Sequence, residues 1–356
     1  MTVRVPYSLL LALGAGLVTL LLTPLAARLA RRAGAIALPG PRHIHREPTP
    51  RLGGLAMAGA VLGVAWLARA LPGPAALLDP APLLGFTLAC VPVLALGWMD
   101  DTRGVPPGAK LVVQACAAMV LTMFGYGVPL LTNPLGGSVA TGWLDVPLTV
   151  LWVVAVINAV NLIDGLDGLA AGVVAIACAA LWWAARVHAD LYVMFLASLL
   201  IGASLGFLRF NYPPARIFMG DTGSHFLGLA LAALSLLENR KGTATVTLLV
   251  PLLALLVPMV DSVLAFVRRA LSGRHVFQAD SEHIHHRLLR LGLSPTAATW
   301  TLWSLCALCG VAAGVLAQLP RAQATLGVAA LAALLFAGFE LVERLGRRGG
   351  GSPPAA

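Results

Sequence analysis

Asn158-Ala-Val-Asn161-Leu-Ile-Asp164-Gly-Leu-Asp167-Gly-Leu-Ala-Ala-Gly172 sets two amides and two carboxylates at three-residue intervals, between the apolar runs 146–157 and 169–183. An ionisable group at a membrane boundary costs free energy unless it meets water, a metal or a partner, so it marks a functional site by default. One Asp here would read as the cap of the following helix. Asn, Asn, Asp, Asp in one phase does not. Gly165 and Gly168 let the backbone come close to whatever the carboxylates hold.

The rest of the chain explains why these groups stand out. Of 356 residues, 59% are hydrophobic and 11% charged, and the mean hydropathy is +0.87; soluble domains average about 25% charged residues. The composition excludes a soluble globular protein and specifies a polytopic, all-α membrane protein, because long uniform apolar runs suit helices and not the alternating strands of a barrel. A hydrocarbon core of roughly 30 Å takes about 20 apolar residues per helix. That length predicts about eleven spans, near 7–28, 52–71, 82–99, 109–126, 146–161, 165–187, 191–209, 222–237, 246–267, 298–318 and 323–343. The first is too long for a signal-peptide core and is followed by Arg28, Arg31 and Arg32, so it reads as a retained anchor.

Charge supplies the topology. Eighteen of the 24 Lys and Arg fall in the odd-numbered loops and the C-terminal tail; the other six are Arg4, Arg69, Arg186, Arg240, Lys241 and Arg321. By the positive-inside rule the odd loops and the C-terminus are cytoplasmic and the N-terminus is outside. Basic loops beside anionic headgroups also account for the net charge of +9 without a nucleic-acid partner. Residues 1–345 form a single transmembrane catalytic domain, and 346–356 are expected to be a disordered tail. Cys90, Cys116, Cys178, Cys306 and Cys309 lie inside apolar spans and imply no disulfide framework.

The cytoplasmic loops hold the remaining chemistry. Pro39-Gly-Pro-Arg42-His-Ile-His45-Arg46-Glu-Pro48-Thr49-Pro50-Arg51-Leu-Gly53-Gly54 is broken by proline and glycine and is cationic, which suits either a lid over an anion or a positive-inside anchor. Asp100-Asp101, with Arg103 and Lys110 following, sets two carboxylates side by side, a repulsion that a cation or a shared proton relieves. Between spans four and five, 131–143 turns like a short outer hairpin. Arg209-Phe-Asn211 and Arg216-Ile-Phe218-Met-Gly220-Asp221-Thr-Gly223-Ser224 lead into a helix whose N-terminus favours phosphate. Asp261 lies within span nine, and the last loop carries Asp280-Ser-Glu282-His283-Ile-His285-His286-Arg287-Leu-Leu-Arg290. There His283, His286 and Arg287 share a helix face suited to an anionic substrate.

Asp100, Asp101, Asp164, Asp167 and Asp221 therefore converge on one side of the membrane. Hard oxygen ligands with nearby cations suit Mg²⁺ and a phosphorylated substrate. The membrane adds a lipid co-substrate, so phosphoryl transfer from a soluble donor to a lipid acceptor follows.

Taken in order, these motifs resemble the polyprenyl-phosphate N-acetylhexosamine-1-phosphate transferases, glycosyltransferase family 4, across nearly all of 42–290. The carriers are Pro48-Thr-Pro-Arg-Leu-Gly-Gly54, Asp100-Asp101, Asn158-x-x-Asn161-x-x-Asp164-Gly-x-Asp167-Gly, Asn211 with Phe218-Met-Gly-Asp221-x-Gly-Ser224, Pro258-x-x-Asp261 and His283-x-His-His286. The resemblance implies transfer of HexNAc-1-phosphate from a UDP-HexNAc to undecaprenyl phosphate, releasing UMP, as the first membrane step of a cell-envelope polysaccharide. It implies Mg²⁺, with Mn²⁺ as the alternative metal, on Asp221 with Asn161 as second ligand. Asp100 or Asp101 deprotonates or positions the lipid phosphate. Asp164, Asn211 and Phe218 line the uridine pocket, while Lys110, His283, His285 and His286 face the diphosphate or sugar. Thr49, Arg51, Asp167 and Arg287 complete the substrate-binding set. The expected setting is the cytoplasmic face of a bacterial cytoplasmic membrane, among membrane lipids, and a homodimer is among the assemblies allowed.

Ala37, His43 and Gly104 depart from the family pattern, which has an acid, a lysine and often an acid there. The His-x-His-His motif is closer to the GlcNAc-1-phosphate branch than to the phospho-MurNAc-pentapeptide branch, which is the alternative. A lipid or ion transporter would place its acids near the midplane of repeated halves, and a CDP-alcohol phosphotransferase would need Ala-Arg after Asp164-Gly.

Overall fold

The computed structural model describes residues 5–38, 47–132, 138–187, 189–239, 284–316, 319, 323, 326–327 and 329–338. Ten named helices carry the described architecture: α1 (Val5–Ala33), α2 (Gly53–Ala70), α3 (Pro80–Arg103), α4 (Pro107–Met123), α5 (Asp145–Ile163), α6 (Leu169–Val187), α7 (Leu191–Asn211), α8 (Gly220–Asn239), α9 (Ile284–Arg290) and α10 (Pro295–Leu316). Among the described residues, strands are confined to two short antiparallel pairs, β1 (Ile36–Ala37) with β2 (Thr49–Pro50), and β3 (Leu130–Thr132) with β4 (Ser138–Ala140). The second pair is the hairpin expected from the turn-rich stretch before Trp143. It is tied to α5, because the Asp145 carboxylate accepts from the Val128 amide at 2.6 Å and Thr141 Oγ1 donates to the Val128 carbonyl at 2.7 Å.

Seven helices among the described residues are long and apolar enough to cross a membrane: α1, α2, α3, α5, α6, α7 and α10. The expectation of eleven is met only in this coarser form. Pro107–Met123 and Ala329–Gly338 are shorter apolar helices, the second within the span expected at 323–343, and the span expected at 246–267 lies outside the described residues, as does Asp261. Helix α8 opens with Asp221, Thr222, Ser224 and His225, too polar for a lipid-facing span. It needs no apolar exterior, because α2, α3, α5, α6 and α7 all pack against it and its residues from Phe226 to Leu237 are buried.

Small residues allow this sheathing. A Cβ on Gly228 would crowd the Ile157 backbone where α8 meets α5. On the opposite side, a Cβ on Gly202 or Gly206 of α7 would collide with the Ala12 or Gly16 carbonyl of α1. Close backbone approach of this kind is how helices associate where hydrophobic burial between them gains little. Between α6 and α10, Trp303 fills the notch at Gly172 and donates through Nε1 to the Leu169 carbonyl at 3.2 Å. Cys306 and Cys309 are free thiols buried in α10, in keeping with packing and not redox use.

Candidate active site

The site is assembled around the first turn of α8. Residues 50–54 run alongside 218–219: the Phe218 amide donates to the Pro50 carbonyl at 2.8 Å, and the Gly53 and Gly54 amides donate to the Phe218 and Met219 carbonyls at 3.0 Å. The helix start then fits where no side chain could intervene. A Cβ on Gly54 would overlap Gly223, one on Gly97 would overlap Thr222, and one on Gly220, at φ +69°, would overlap the Arg51 carbonyl and the Asp101 carboxylate. The Pro-Arg-Leu-Gly-Gly stretch thus seats α8 in its described part; residues 39–46, the rest of the anticipated lid, lie outside the described residues.

Asp101 and Asp100 face different tasks although adjacent. Asp101 is 8% exposed, and both its oxygens are taken by α8: Oδ1 accepts from the Asp221 amide at 3.0 Å, Oδ2 from the Thr222 amide at 3.0 Å and the Thr222 hydroxyl at 2.7 Å. It is an N-cap supplied by another helix, satisfying amides that the helix leaves open and opposing its dipole. Asp100 accepts from the Val105 amide through Oδ1 at 2.8 Å and turns Oδ2 toward Lys110 Nζ, also at 2.8 Å. The same Nζ lies 2.6 Å from Asp221 Oδ2. One ammonium therefore holds two carboxylates, one from α3 and one from α8. Asn161 Nδ2 completes the group, donating to Asp221 Oδ1 at 3.1 Å and to Ser224 Oγ at 2.9 Å.

The opening stretch forms the adjoining wall. Helix α5 ends at Ile163, and the Asp164 amide closes its last turn on the Asn161 carbonyl. Burial first, then the carboxylates of Asp221, Asp101 and Asp167, push the Asp164 carboxyl well above the usual range, with Arg51 acting in the opposite sense. Asp167 Oδ2 accepts from the Ala215 amide at 2.8 Å, tying the 164–168 turn to the segment between α7 and α8. Asn211 makes the same connection from the other side. It is 2% exposed, accepts from the Gly168 amide at 3.0 Å and donates to the Ile217 carbonyl at 2.9 Å.

Asp100, Asp101, Lys110, Asn161, Asp164, Asp167, Asn211, Phe218 and Asp221 are thus joined directly or through these two loops. Thr49 is buried and its hydroxyl bonds the Glu47 carbonyl at 3.0 Å, so it shapes the turn before β2. Arg51 is half-buried beside this group, whereas Arg287 is buried in α9. The side chains of His285 and His286, and the whole of His283, lie outside the described residues. Reading the sequence for sites passed over Gln114, Ser224 and His225. Gln114 is a lone polar residue in an apolar helix, and Ser224 and His225 end the polar first turn of α8; the available signal was that Gln114 and His225 follow Lys110 and Asp221 by one turn.

Among the described residues no group of three or more His, Cys, Asp or Glu side chains forms a metal cage. The oxygen-rich set nevertheless fits Mg²⁺, which is held by one or two carboxylates together with substrate phosphates. Lys110, at 2.6 and 2.8 Å from the two carboxylates, stands where the electrostatics call for a cation. Asn161 presents its amide hydrogens to Asp221, so ligation by Asn161 would use its Oδ1.

The chain is similar in sequence to proteins of one family. Residues 83–239, from α3 through α8, match the family model described as glycosyl transferase family 4. Over 284 residues the chain is 34% identical to a Bacillus subtilis (strain 168) protein named "Probable undecaprenyl-phosphate N-acetylglucosaminyl 1-phosphate transferase", covering 78% of this chain and 76% of the relative. It is 36% identical over 309 residues to the decaprenyl-phosphate N-acetylglucosaminephosphotransferase of Mycobacterium tuberculosis (strain ATCC 25618 / H37Rv), covering 80% and 76%. A phospho-N-acetylmuramoyl-pentapeptide-transferase of Synechococcus sp. (strain JA-2-3B'a(2-13)) is 36% identical over 259 residues, 67% of this chain and 70% of the relative. By sequence similarity over more than three quarters of its length, this multi-pass membrane protein belongs to glycosyl transferase family 4.

Proposed function

We propose that the protein transfers HexNAc-1-phosphate, in the first instance GlcNAc-1-phosphate, from its UDP-sugar to undecaprenyl phosphate at the cytoplasmic face of a bacterial cytoplasmic membrane. An oxygen of the lipid phosphate bonds to the β-phosphorus of the UDP-sugar, the bond from that phosphorus to the bridging oxygen breaks, and UMP leaves with the electron pair. The observation that carries this reading is the Asp100–Lys110–Asp221 arrangement, two carboxylates on one ammonium, at the mouth of a helix whose first turn is otherwise sealed by glycine contacts.

The residues divide the work by what already engages them. Asp100 has a carboxylate oxygen facing the site and is the group that positions the lipid phosphate or takes its proton. Asp101 is committed to the α8 amides and acts by holding Asp221. Lys110 is placed to meet the diphosphate charge that develops on the leaving UMP, and such positioning and charge stabilisation carry most of the catalysis in phosphoryl transfer. Mg²⁺ on Asp221, with Asn161 beside it, would supply neutralisation of the diphosphate. Asp164 and Phe218 border the nucleoside side, with Asn211 and Asp167 holding the loops that present them. His283, His285, His286 and Arg287 bear on the sugar-phosphate from the last loop.

The GlcNAc branch is preferred because the relatives named for MurNAc-pentapeptide transfer are the more distant ones. The test is purified protein with Mg²⁺, undecaprenyl phosphate and a panel of radiolabelled UDP-sugars. UMP release with a labelled lipid from UDP-GlcNAc supports the assignment. Lipid labelling only by UDP-MurNAc-pentapeptide would move it to the other branch, and no turnover with any UDP-HexNAc would remove it.

A further inference from the structure

The three helices that bring Lys110, Asn161 and Asp221 together each carry a second polar residue one turn deeper: Gln114 on α4, Asn158 on α5 and His225 on α8. A helical turn is about 5 Å, so these form a separate layer beneath the first. Gln114 is 0% and His225 1% exposed. Asn158 Nδ2 donates to Gln114 Oε1 at 2.7 Å and to the Val154 carbonyl at 2.8 Å. His225 Nε2 lies 3.7 Å from Asp221 Oδ2. Helices α3 and α5 each pack on both α4 and α8, so Gln114 and His225 lie on helices that share the same two neighbours. Each has a buried atom without a hydrogen-bond partner among the described residues, Gln114 Nε2 and His225 Nδ1.

Buried polar atoms are nearly always paired, with protein or with ordered water. The two orphans are complementary through one water. An amide Nε2 can only donate, and a His whose Nε2–H points at Asp221 has Nδ1 as an acceptor. We propose that Gln114, Asn158 and His225, joined by one ordered water, are a positioning layer that fixes the orientation of Asp221 and Asn161 for metal and diphosphate. This rests on the reading of Asp221 above. Outer partners of this kind typically change metal affinity or activity by about 10–100-fold.

The test uses the full-length protein in detergent. Mn²⁺ binding is followed by electron paramagnetic resonance without substrate, and kcat and KM for UDP-GlcNAc are measured beside it. His225→Leu is expected to keep its thermal transition, to bind Mn²⁺ at least about tenfold more weakly, and to lose kcat while KM for the UDP-sugar changes little. His225→Gln, which restores a donor toward Asp221, is expected to recover Mn²⁺ binding. Gln114→Leu gives the same reading from the opposite side of the layer should His225→Leu not fold. A folded His225→Leu or Gln114→Leu that binds Mn²⁺ as the wild type does overturns the proposal, as does a wild-type protein that binds no Mn²⁺. If the wild type turns over no UDP-HexNAc while Mn²⁺ binding still falls in the variants, the assigned reaction fails and the positioning layer stands.

Discussion

Changing Asp101 and Asp100 separately to Asn should split stability from chemistry. In Asp101→Asn the remaining oxygen is best kept at the Oδ2 position, which takes two donors from Thr222, so the new NH₂ faces the Asp221 amide. A buried N–H facing a donor costs about 1–3 kcal/mol. Losing the charge at the α8 N-terminus costs about 0.3–1 kcal/mol, and up to ~2 where the site is buried. The sum is roughly 2–4 kcal/mol, which for a chain of this size lowers the melting temperature by about 3–5 °C. Asp100→Asn keeps the acceptor for the Val105 amide and leaves Lys110 paired with Asp221. It should melt near the wild type yet lose about 10²–10⁴-fold in kcat, the range for a missing proton acceptor. The assay is intrinsic-fluorescence melting of detergent-purified variants, paired with single-turnover UMP release. An Asp101→Asn protein melting with the wild type, or an Asp100→Asn protein that is destabilised but active, would refute this division.

Three other perturbations follow from the same geometry. Lys110→Met leaves Asp100 and Asp221 without their shared ammonium, so turnover should fall at least about 10²-fold and the Mg²⁺ concentration for half-maximal activity should shift, read from metal titrations at fixed UDP-sugar. Gly54→Ala and Gly97→Ala drive a methyl into the α8 start and should destabilise by about 1–3 kcal/mol; Gly63→Ala, with open space around it, should be neutral or stabilise by about 0.5–1 kcal/mol, both read as melting shifts. Asn211→Leu unties Gly168 from Ile217 and should raise KM for the UDP-sugar more than it lowers kcat, measured by initial rates; an unchanged KM would show that the loops hold without it.

Much of this site was legible before any coordinates because charge is rare in the chain. Asp100, Lys110, Asn161, Asp164 and Asp221 stand out against apolar surroundings, and counting arginines groups their loops on one side of the membrane. What was not legible is which partner each group meets. Asp101 looks equivalent to Asp100 in sequence; only the approach of α8 to α3 at Gly97 turns it into a cap. That Asn211 and Asp167 also join the loops between α5 and α6 and between α7 and α8 appears only when those loops are seen to close on them. Gln114 was passed over because one polar residue in an apolar helix is ordinary, and His225 because it sits beside the more conspicuous Asp221; their layer exists only when three helices are superposed. The spans were legible in coarser form: seven described helices have the length and hydropathy to cross a membrane, while α8 is wrapped by protein, so its polar first turn is not penalised by lipid.

The most direct measurement follows the β-phosphate itself. UDP-GlcNAc labelled with radioactive phosphorus at the β position is incubated with the purified protein, Mg²⁺ and undecaprenyl phosphate, and the lipid and aqueous phases are separated. The account predicts that the label moves into the lipid phase while unlabelled UMP accumulates in equal amount. Retention of the label in released UDP, with only the sugar on the lipid, would contradict it.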